Sequence, residues 1–281
     1  MTKNGIGLRS ERGPILLAVM VATGVVAIDA TILSTAVPAI VDDVGGFTQF
    51  PWLFSVYVLT QSVTVPVYSK LADQIGRKRV ILFGLAVFLL GSILCGLAWD
   101  MPSLIAFRAL QGIGAGAILP ITITIVGDIY SVEERARVQG YIASVWAIAS
   151  VAGPTLGGLF AMWDVWRGIF FINIPLCAIA VWLLARGYHE SLDRRRHRID
   201  YAGAALLTAA LTLLLVGVLE GGDGWAWVSA PSFAVFGAGI LLLVAFVLVE
   251  RRAAEPVLPL WVVSRPLLRS TNLVGLTVGA A

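Results

Sequence analysis

Charged residues are scarce in this sequence of 281 residues: they make up 13% of the chain, whereas hydrophobic residues make up 58%. A soluble domain carries about 25% charged residues, so the composition excludes an ordinary soluble globular protein. A lipid bilayer accommodates only helices or closed barrels. Because the apolar runs are far longer than the strands of a barrel, the sequence predicts membrane-spanning helices.

Cysteine and histidine are also rare, with 2 of each. Cys95 and Cys177 both lie inside apolar runs, and the sequence shows no metal-ligand spacing, so we expect buried thiols and no metal centre. It also contains no nucleophile–base set and no phosphate-binding loop, which makes an integral-membrane enzyme the least favoured class and predicts no cofactor. The excess positive charge lies in short loops, where it indicates topology and does not suggest a nucleic-acid partner.

Eight apolar runs are long enough to cross a membrane and predict an all-α polytopic membrane protein. They cover residues 14–38, 52–71, 80–98, 103–127, 137–162, 168–186, 201–219 and 232–249. A ninth run begins near Leu267 and reaches Ala281 after about 15 residues, short of the roughly 20 that a crossing needs. The chain is therefore expected to contain only the start of a ninth helix.

A long basic connection at about 187–199 divides the predicted helices into groups. We expect a six-helix block over residues 1–190. Residues 191–266 would hold this loop, a hairpin of helices 7 and 8 and the following connection, and residues 267–281 would begin a further block.

The basic residues predict the orientation of the helices. Of the 20 lysines and arginines, all but Arg108 and Arg167 lie before the first run or beside alternate loops. The positive-inside rule places these loops in the cytoplasm. We therefore expect a multi-pass protein of the cell (inner) membrane with a cytoplasmic N-terminus.

Asp29 is an acidic residue inside the first apolar run, about 13 Å from the outer end of that helix. A carboxylate at this depth costs several kcal/mol unless it is paired, hydrated or protonated. One interpretation is a proton-coupling site, and the alternative is a structural ion pair or a polar residue facing a cavity. Arg108, about 8 Å inside the fourth run, is close enough in depth to pair with Asp29, or it anchors its helix through backbone carbonyls.

The loop between the second and third runs combines charged residues with a glycine. It contains Asp73, Gly76, Arg77 and Lys78. Gly76 permits a positive φ in a tight turn, and Asp73 can pair with basic groups at a helix end. Alone, such a charged loop is only a topology signal.

Two later helices carry small residues at the spacing of close helix contacts. In the fourth run, Gln111 is followed by Gly112 and Gly116, and the fifth run contains Gly153-Pro154-Thr155-Leu156-Gly157-Gly158. Glycines four residues apart let two helices approach closely, and the proline kinks its helix because it lacks a backbone donor. Most such patterns only pack helices together.

Together these motifs resemble the major facilitator superfamily. Leu71-Ala72-Asp73 followed by Gly76-Arg77-Lys78 resembles its cytoplasmic loop motif, and the pattern around Arg108 resembles its second motif. The Gly153–Gly158 segment resembles the motif that marks its drug:proton antiporters. The first helix, with Asp29-Ala30-Thr31-Ile32, and the segment 166–175 resemble the fourteen-helix branch, which inserts a hairpin between two six-helix halves.

The resemblance implies a fold and a role for each motif. It implies the N-terminal six-helix half of the major facilitator fold, the inserted hairpin and the start of a ninth helix. Asp29 and Arg108 would couple protons, the charged loop between helices 2 and 3 would form a cytoplasmic gate, and the glycines and Pro154 would let helix 5 bend. Candidates for the wall of a substrate cavity are Gln61, Gln111, Trp146 and Asn173.

The implied function is proton-coupled efflux of drugs or other amphipathic compounds. Its expected partners are lipid, protons and a small-molecule substrate, with the proton gradient as driving force. A transporter of the same fold for another small solute and a non-transporting truncated fragment remain alternatives. Because alternating access needs two halves, we expect no coupled transport by this chain unless a missing C-terminal half or a second copy completes it.

Overall fold

A computed structural model describes residues 7–188, 190, 200–222, 224–253 and 270 of the chain. Within them, the chain is helical apart from turns and an isolated backbone bridge between Gly221 and Trp225. The helices are, in order, Gly13–Val44 (α1), Pro51–Ile75 (α2), Arg77–Gly96 (α3), Met101–Ile129 (α4), Val132–Met162 (α5), Gly168–Phe171 (α6), Asn173–Gly187 (α7), Tyr201–Glu220 (α8) and Ala230–Glu250 (α9). The prediction of an all-helical fold is confirmed.

Seven stretches of the described chain are long and apolar enough to cross a membrane, one fewer than predicted. They are α1, α3, α4, α5, α6 together with α7, α8 and α9. The missing one is α2, which has 25 residues but carries Thr60, Gln61 and Thr64 in its middle. These polar side chains lower the mean hydropathy of α2, and its crossing of the membrane stays a prediction.

The chain forms two compact units, Met1–Arg195 and Arg196–Ala281. Helices α1 to α7 belong to the first unit, and α8 and α9 pack on each other in the second. The predicted division at residues 190 and 266 stays a prediction. Most of the loop at 187–199 and of the ninth run lies outside the described residues.

Two predicted helix boundaries differ from the structure. Helix α1 continues beyond the predicted run of residues 14–38, through Pro38 to Val44, so its last turn includes Asp42 and Asp43. The predicted sixth helix is broken at Ile172 into α6 and α7. Pro175 explains the break, because it has no N–H to donate to the carbonyl four residues earlier.

Two apolar clusters form the core of the first unit, and a polar layer lies between them. In α1 the first cluster ends at Val26 and the second begins at Ile32. Asp29 lies between these two positions and is buried. The sequence therefore places one carboxylate in the middle of the packed helices, where it needs partners.

Candidate functional site

A buried ion pair joins α1 to α4. The Arg108 Nη1 atom donates to Asp29 Oδ2 at 2.7 Å, and both side chains are 2% exposed. Asp29 and Arg108, whose depths match in the sequence, are thus in direct contact. Both charges are removed from water, so each depends on the other for its stability.

The other oxygen of Asp29 accepts two hydrogen bonds from side-chain amides. Gln111 Nε2 on α4 donates to Oδ1 at 2.7 Å, and Asn173 Nδ2 on α7 donates to the same atom at 3.2 Å. Gln111 also accepts from Arg108 Nη1 at 2.7 Å. Gln111 and Asn173, which the sequence suggested for a cavity wall, therefore lie in this buried network.

Arg108 also holds α2. Its Nε donates to the backbone carbonyl of Leu53 at 3.2 Å, and its guanidinium lies 4.2 Å from the centre of the Tyr57 ring. The sequence left two interpretations of Arg108, pairing with Asp29 or bonding to backbone carbonyls. In the structure the side chain makes both kinds of contact. Cation–π contact in a desolvated site adds to its stabilisation.

The break between α6 and α7 supplies another part of the network. Ser92 on α3 donates its hydroxyl to the carbonyl of Phe170 at 2.8 Å and accepts from Asn173 Nδ2 at 2.9 Å. This bond satisfies a carbonyl beside the break in the helix. Among the described residues, the buried Oδ1 of Asn173 and the hydroxyl of Tyr57 have no hydrogen-bond partner.

A cavity of about 230 Å³ adjoins the ion pair. Arg108, Tyr57, Gln61 and Trp146 contribute to its wall, with apolar residues of α1, α2 and α4 between them. The structure therefore brings the predicted cavity residues Gln61 and Trp146 to the same cavity, on α2 and α5. Asn173 lies in the buried network on α7 instead.

A second ionic cluster surrounds Arg77 at the turn between α2 and α3. Arg77 lies 3.6 Å from Asp73, 3.3 Å from Asp128 at the end of α4, and 3.4 Å from Glu190. Gly76 forms the turn with a φ of 102°, a conformation that glycine adopts without strain. The predicted loop residues are therefore brought together with two acids from distant parts of the sequence.

Glu190 caps the N-terminus of α3. Its carboxylate accepts from the backbone N–H of Arg77 at 2.9 Å and of Lys78 at 3.2 Å, which suits the positive end of a helix dipole. Lys78 Nζ donates to the carbonyls of Ala185 and Tyr188, both at 2.7 Å. Burial, with the nearby charge of Glu190, raises the pKa of Tyr188 to about 12, so its phenol stays neutral at physiological pH.

The glycines of α4 lie against threonines of α2. A side chain on Gly112 would clash with Thr60, and one on Gly116 would clash with Thr64. Each threonine hydroxyl donates to a backbone carbonyl of its own helix, so its polar group is satisfied inside the contact. The predicted close approach of helices is thus present on this face of α4.

The glycines of α5 meet α1 in the same way. Added side chains on Gly153 and Gly157 would clash with Thr31 and Thr35. Here the hydroxyls also cross between helices: Thr31 donates to the Ala149 carbonyl at 2.9 Å, and Thr35 donates to the Pro154 carbonyl at 3.2 Å.

Gly158 makes no such contact. A Cβ at this position would meet nothing within 4 Å. Within the Gly153–Gly158 motif, Gly153 and Gly157 therefore contact α1, whereas Gly158 does not.

The sequence did not identify several residues of these sites, namely Tyr57, Ser92, Asp128, Glu190 and the four threonines. A signal for the threonines was present, because Thr31 and Thr35, like Thr60 and Thr64, share the four-residue spacing of the glycines that they meet. Ser92 and Asp128 have no such signal, since single small or terminal polar residues are common in membrane helices.

The chemistry open to the buried site follows from its donors and acceptors. Arg108 keeps its charge at any physiological pH, and its counterion is Asp29. Loss of the charge on Asp29 would leave Arg108 as an unpaired cation next to the cavity. The described residues contain no cluster of side chains that could hold a metal ion.

Comparison with known proteins shows which family this chain is similar to. The sequence profile of the Major Facilitator Superfamily matches residues 19–199. Multidrug resistance protein 3 of Bacillus subtilis (strain 168) is 38% identical over 90% of this chain and 49% of its own length. Multidrug transporter protein MdtP of the same organism is 36% identical over 96% of the chain and 50% of its own length.

A fungal relative and a solved structure are also similar to this chain. Efflux pump FUS6 of Gibberella moniliformis is 35% identical over 88% of the chain and 45% of its own length. The crystal structure of the human organic anion transporter MFSD10 (TETRAN) covers 80% of this chain and 59% of its own, with a TM-score of 0.58 and 17% identity, which shows a shared fold. The chain spans about half the length of the curated relatives it matches.

Proposed function

This chain belongs to the Major Facilitator Superfamily, and from that membership we propose that it forms the proton-binding N-terminal part of an exporter of drugs or other amphipathic compounds. The observation that carries the proposal is the buried Asp29–Arg108 pair beside a cavity. The relatives named as multidrug transporters and efflux pumps support the same class of cargo.

The proposed coupling acts through Arg108. With Asp29 ionised, the guanidinium is neutralised by its partner and held at the cavity wall. With Asp29 protonated, the positive charge loses its counterion, and the cavity becomes less favourable for a cationic or apolar molecule. Proton binding and cargo binding would then oppose each other, as exchange of one for the other requires.

The cavity wall suits an amphipathic cargo. Trp146 and Tyr57 offer aromatic surfaces, Gln61 offers an amide, and the remaining lining is apolar. Such walls bind mainly by apolar contact, with a few polar groups that set orientation. A cavity that binds mainly by apolar contact requires few specific hydrogen bonds from its cargo, which suits an exporter of compounds of varied structure.

We propose that a second six-helix half completes the cavity. Helix α5 exposes a stripe of apolar residues, including Ile148 and Val151, beside the Trp146 wall. In two-half transporters the site lies between the halves, which rock around it. The chain alone is therefore expected to bind protons without coupled transport.

The Arg77 cluster would act as a gate on the cytoplasmic side. It connects the α2–α3 turn to the end of α4 and to Glu190 after α7. These helix ends would move as one group while the ion pairs are formed and would move apart when the pairs break. The location follows from the basic loops, which the positive-inside rule assigns to the cytoplasm of the cell membrane.

A chimera tests the proposed function. This chain would replace the matching N-terminal part of Multidrug resistance protein 3, and the chimera would be compared with its Asp29→Asn variant in inverted membrane vesicles. We expect uptake of the dye ethidium when a proton gradient is imposed, and its loss in Asp29→Asn. Thr23→Val is the matched control, because Thr23 is a buried polar residue of α1 outside the network.

Two results would contradict the proposal. One is gradient-driven transport in Asp29→Asn equal to that of the chimera at matched expression. The other is a chimera that inserts, with both halves protected from protease as in the parent, but moves no dye under any gradient.

A further inference from the structure

We propose that Asn173 is a positioning residue of the proton site, whose amide reverses when Asp29 takes up a proton, so that its oxygen accepts the hydrogen bond of the protonated carboxyl. The inference rests on the proposed function, because it needs Asp29 to bind a proton. It adds a residue on α7 and a defined rearrangement to the Asp29–Arg108 pair.

The present surroundings of Asp29 fit only its ionised form. Its two oxygens accept from Arg108, Gln111 and Asn173, and each of these atoms is a donor. A protonated carboxyl has an O–H group that must donate to an acceptor. Burying that O–H without an acceptor is unfavourable, so proton uptake requires one of the neighbours to change.

Asn173 is the neighbour that can change. The amide oxygen of Gln111 already accepts from Arg108 Nη1 at 2.7 Å, and the guanidinium has no acceptor atom. Asn173 Oδ1 is buried and has no partner in the described chain. Rotation of the amide by half a turn about its last side-chain bond exchanges this oxygen for the nitrogen that now faces Asp29.

The rearrangement is balanced in protons and hydrogen bonds. One proton joins the Asp29 carboxylate, and its O–H then donates to Asn173 Oδ1. Ser92 can turn its hydroxyl from the Phe170 carbonyl to the same oxygen, because it already contacts this end of the amide at 2.9 Å. In either orientation, one end of the Asn173 amide has no hydrogen-bond partner. The protonation state of Asp29 therefore determines which orientation is favoured.

A consequence reaches the backbone. When the Ser92 hydroxyl turns away, the Phe170 carbonyl loses this hydrogen bond. The next carbonyl, that of Phe171, already lacks a helical donor because Pro175 has no N–H. Proton uptake on α1 would therefore weaken a contact at the break between α6 and α7.

Among the described residues, few titratable or charged groups face Asp29 from the packed helices. They are Arg108 on α4, Tyr57 on α2, Cys95 on α3 and Cys177 on α7. The α5 residues that meet α1 nearby, Ala149 and Gly153, do not titrate. Tyr57 is the competing acceptor, because its hydroxyl is also buried and unpartnered.

Infrared difference spectroscopy on the purified 281-residue chain in detergent tests the proposal. Asparagine labelled with ¹³C at its side-chain carbonyl marks Asn173, and the other asparagines, Asn4 and Asn272, are far from it in the sequence. On acidification we expect a carboxylic-acid band that is absent in Asp29→Asn. We also expect a shift of a labelled amide band with the same pH midpoint, and this shift should vanish in Asp29→Ala, which removes the carboxyl without adding a labelled asparagine.

Variants separate the acceptors. In Asn173→Leu the carboxylic-acid band should move to higher frequency, because the acid loses its acceptor. Tyr57→Phe and the control Thr23→Val should leave it in place. The wild-type labelled amide band provides the test even if Asn173→Leu does not fold.

The outcomes distinguish this inference from the function on which it rests. An Asp29 band that moves in Tyr57→Phe, or a labelled amide band that does not respond to pH, would overturn the role of Asn173 and leave proton binding intact. Absence of any Asp29 band across the accessible pH range would overturn both.

Discussion

The two ionic clusters of the first unit use the same kinds of side chain at very different burial. Asp29 and Arg108 are each 2% exposed, whereas Arg77 is 24% exposed and its partners Asp73 and Asp128 are 49% and 42% exposed. Water screens the pairs that Arg77 forms with Asp73 and Asp128, so these pairs can separate at little cost. The buried pair cannot lose one partner without leaving an uncompensated charge.

This difference suggests a division of roles. A cluster whose members form and break contacts readily suits a gate that opens in each transport cycle. A buried pair suits a switch that responds to one event, the arrival of a proton at its carboxylate. Substitutions in the two clusters should therefore differ in size, in salt dependence and in pH dependence.

The largest expected effect comes from breaking the buried pair. Asp29→Asn should destabilise the first unit by about 3–5 kcal/mol, because Arg108 stays charged without its partner. Arg108→Met should cost a similar amount near neutral pH and less in acid, since Asp29 can take up a proton whereas Arg108 cannot release one. Reversible unfolding in mixed micelles, followed by circular dichroism, measures both.

The double variant is the control for this prediction. Asp29→Asn with Arg108→Met removes both charges and should be less destabilised than the sum of the single variants. Additive losses that do not change with pH would show that the pair contributes by packing alone.

A smaller effect is expected from Arg77→Ala. It removes three ion pairs that are partly screened, so the loss should be about 1.5 kcal/mol at low salt and should shrink at 0.5 M salt, where the Debye length is only a few ångströms. Arg79→Ala is the matched control, because Arg79 is an exposed neighbour outside this cluster. A loss as large as that of Asp29→Asn, unaffected by salt, would contradict the comparison.

Within the Arg77 cluster, the acids should rank by burial. Glu190→Ala removes a carboxylate that caps α3, and we expect a loss of about 1 kcal/mol. Asp73→Asn removes an exposed partner four residues from Arg77 and should cost less than about 0.5 kcal/mol. The same unfolding assay tests the order, and a greater loss in Asp73→Asn would reverse it.

The helices and the similar depths of Asp29 and Arg108 could be predicted from the sequence, because the depth of each residue depends only on its position within its own helix. The sequence could not predict the partners of Asp29 on α3 and α7, since only packing brings Ser92 and Asn173 to that level. Glu190 is more than a hundred residues from Arg77, and its carboxylate carries no signal of the helix end that it caps. The polarity of α2 was visible in Gln61 and its neighbours, and its crossing of the membrane stays a prediction.

Proton release on cargo binding tests the central claim most directly. Purified chimera in weakly buffered detergent would receive ethidium while a pH indicator follows the medium. We predict proton release that saturates with the dye, is absent in Asp29→Asn and persists in Thr23→Val, because linkage requires dye and proton to oppose each other at one site. Dye binding without proton release, or release that is unchanged in Asp29→Asn, would contradict the account.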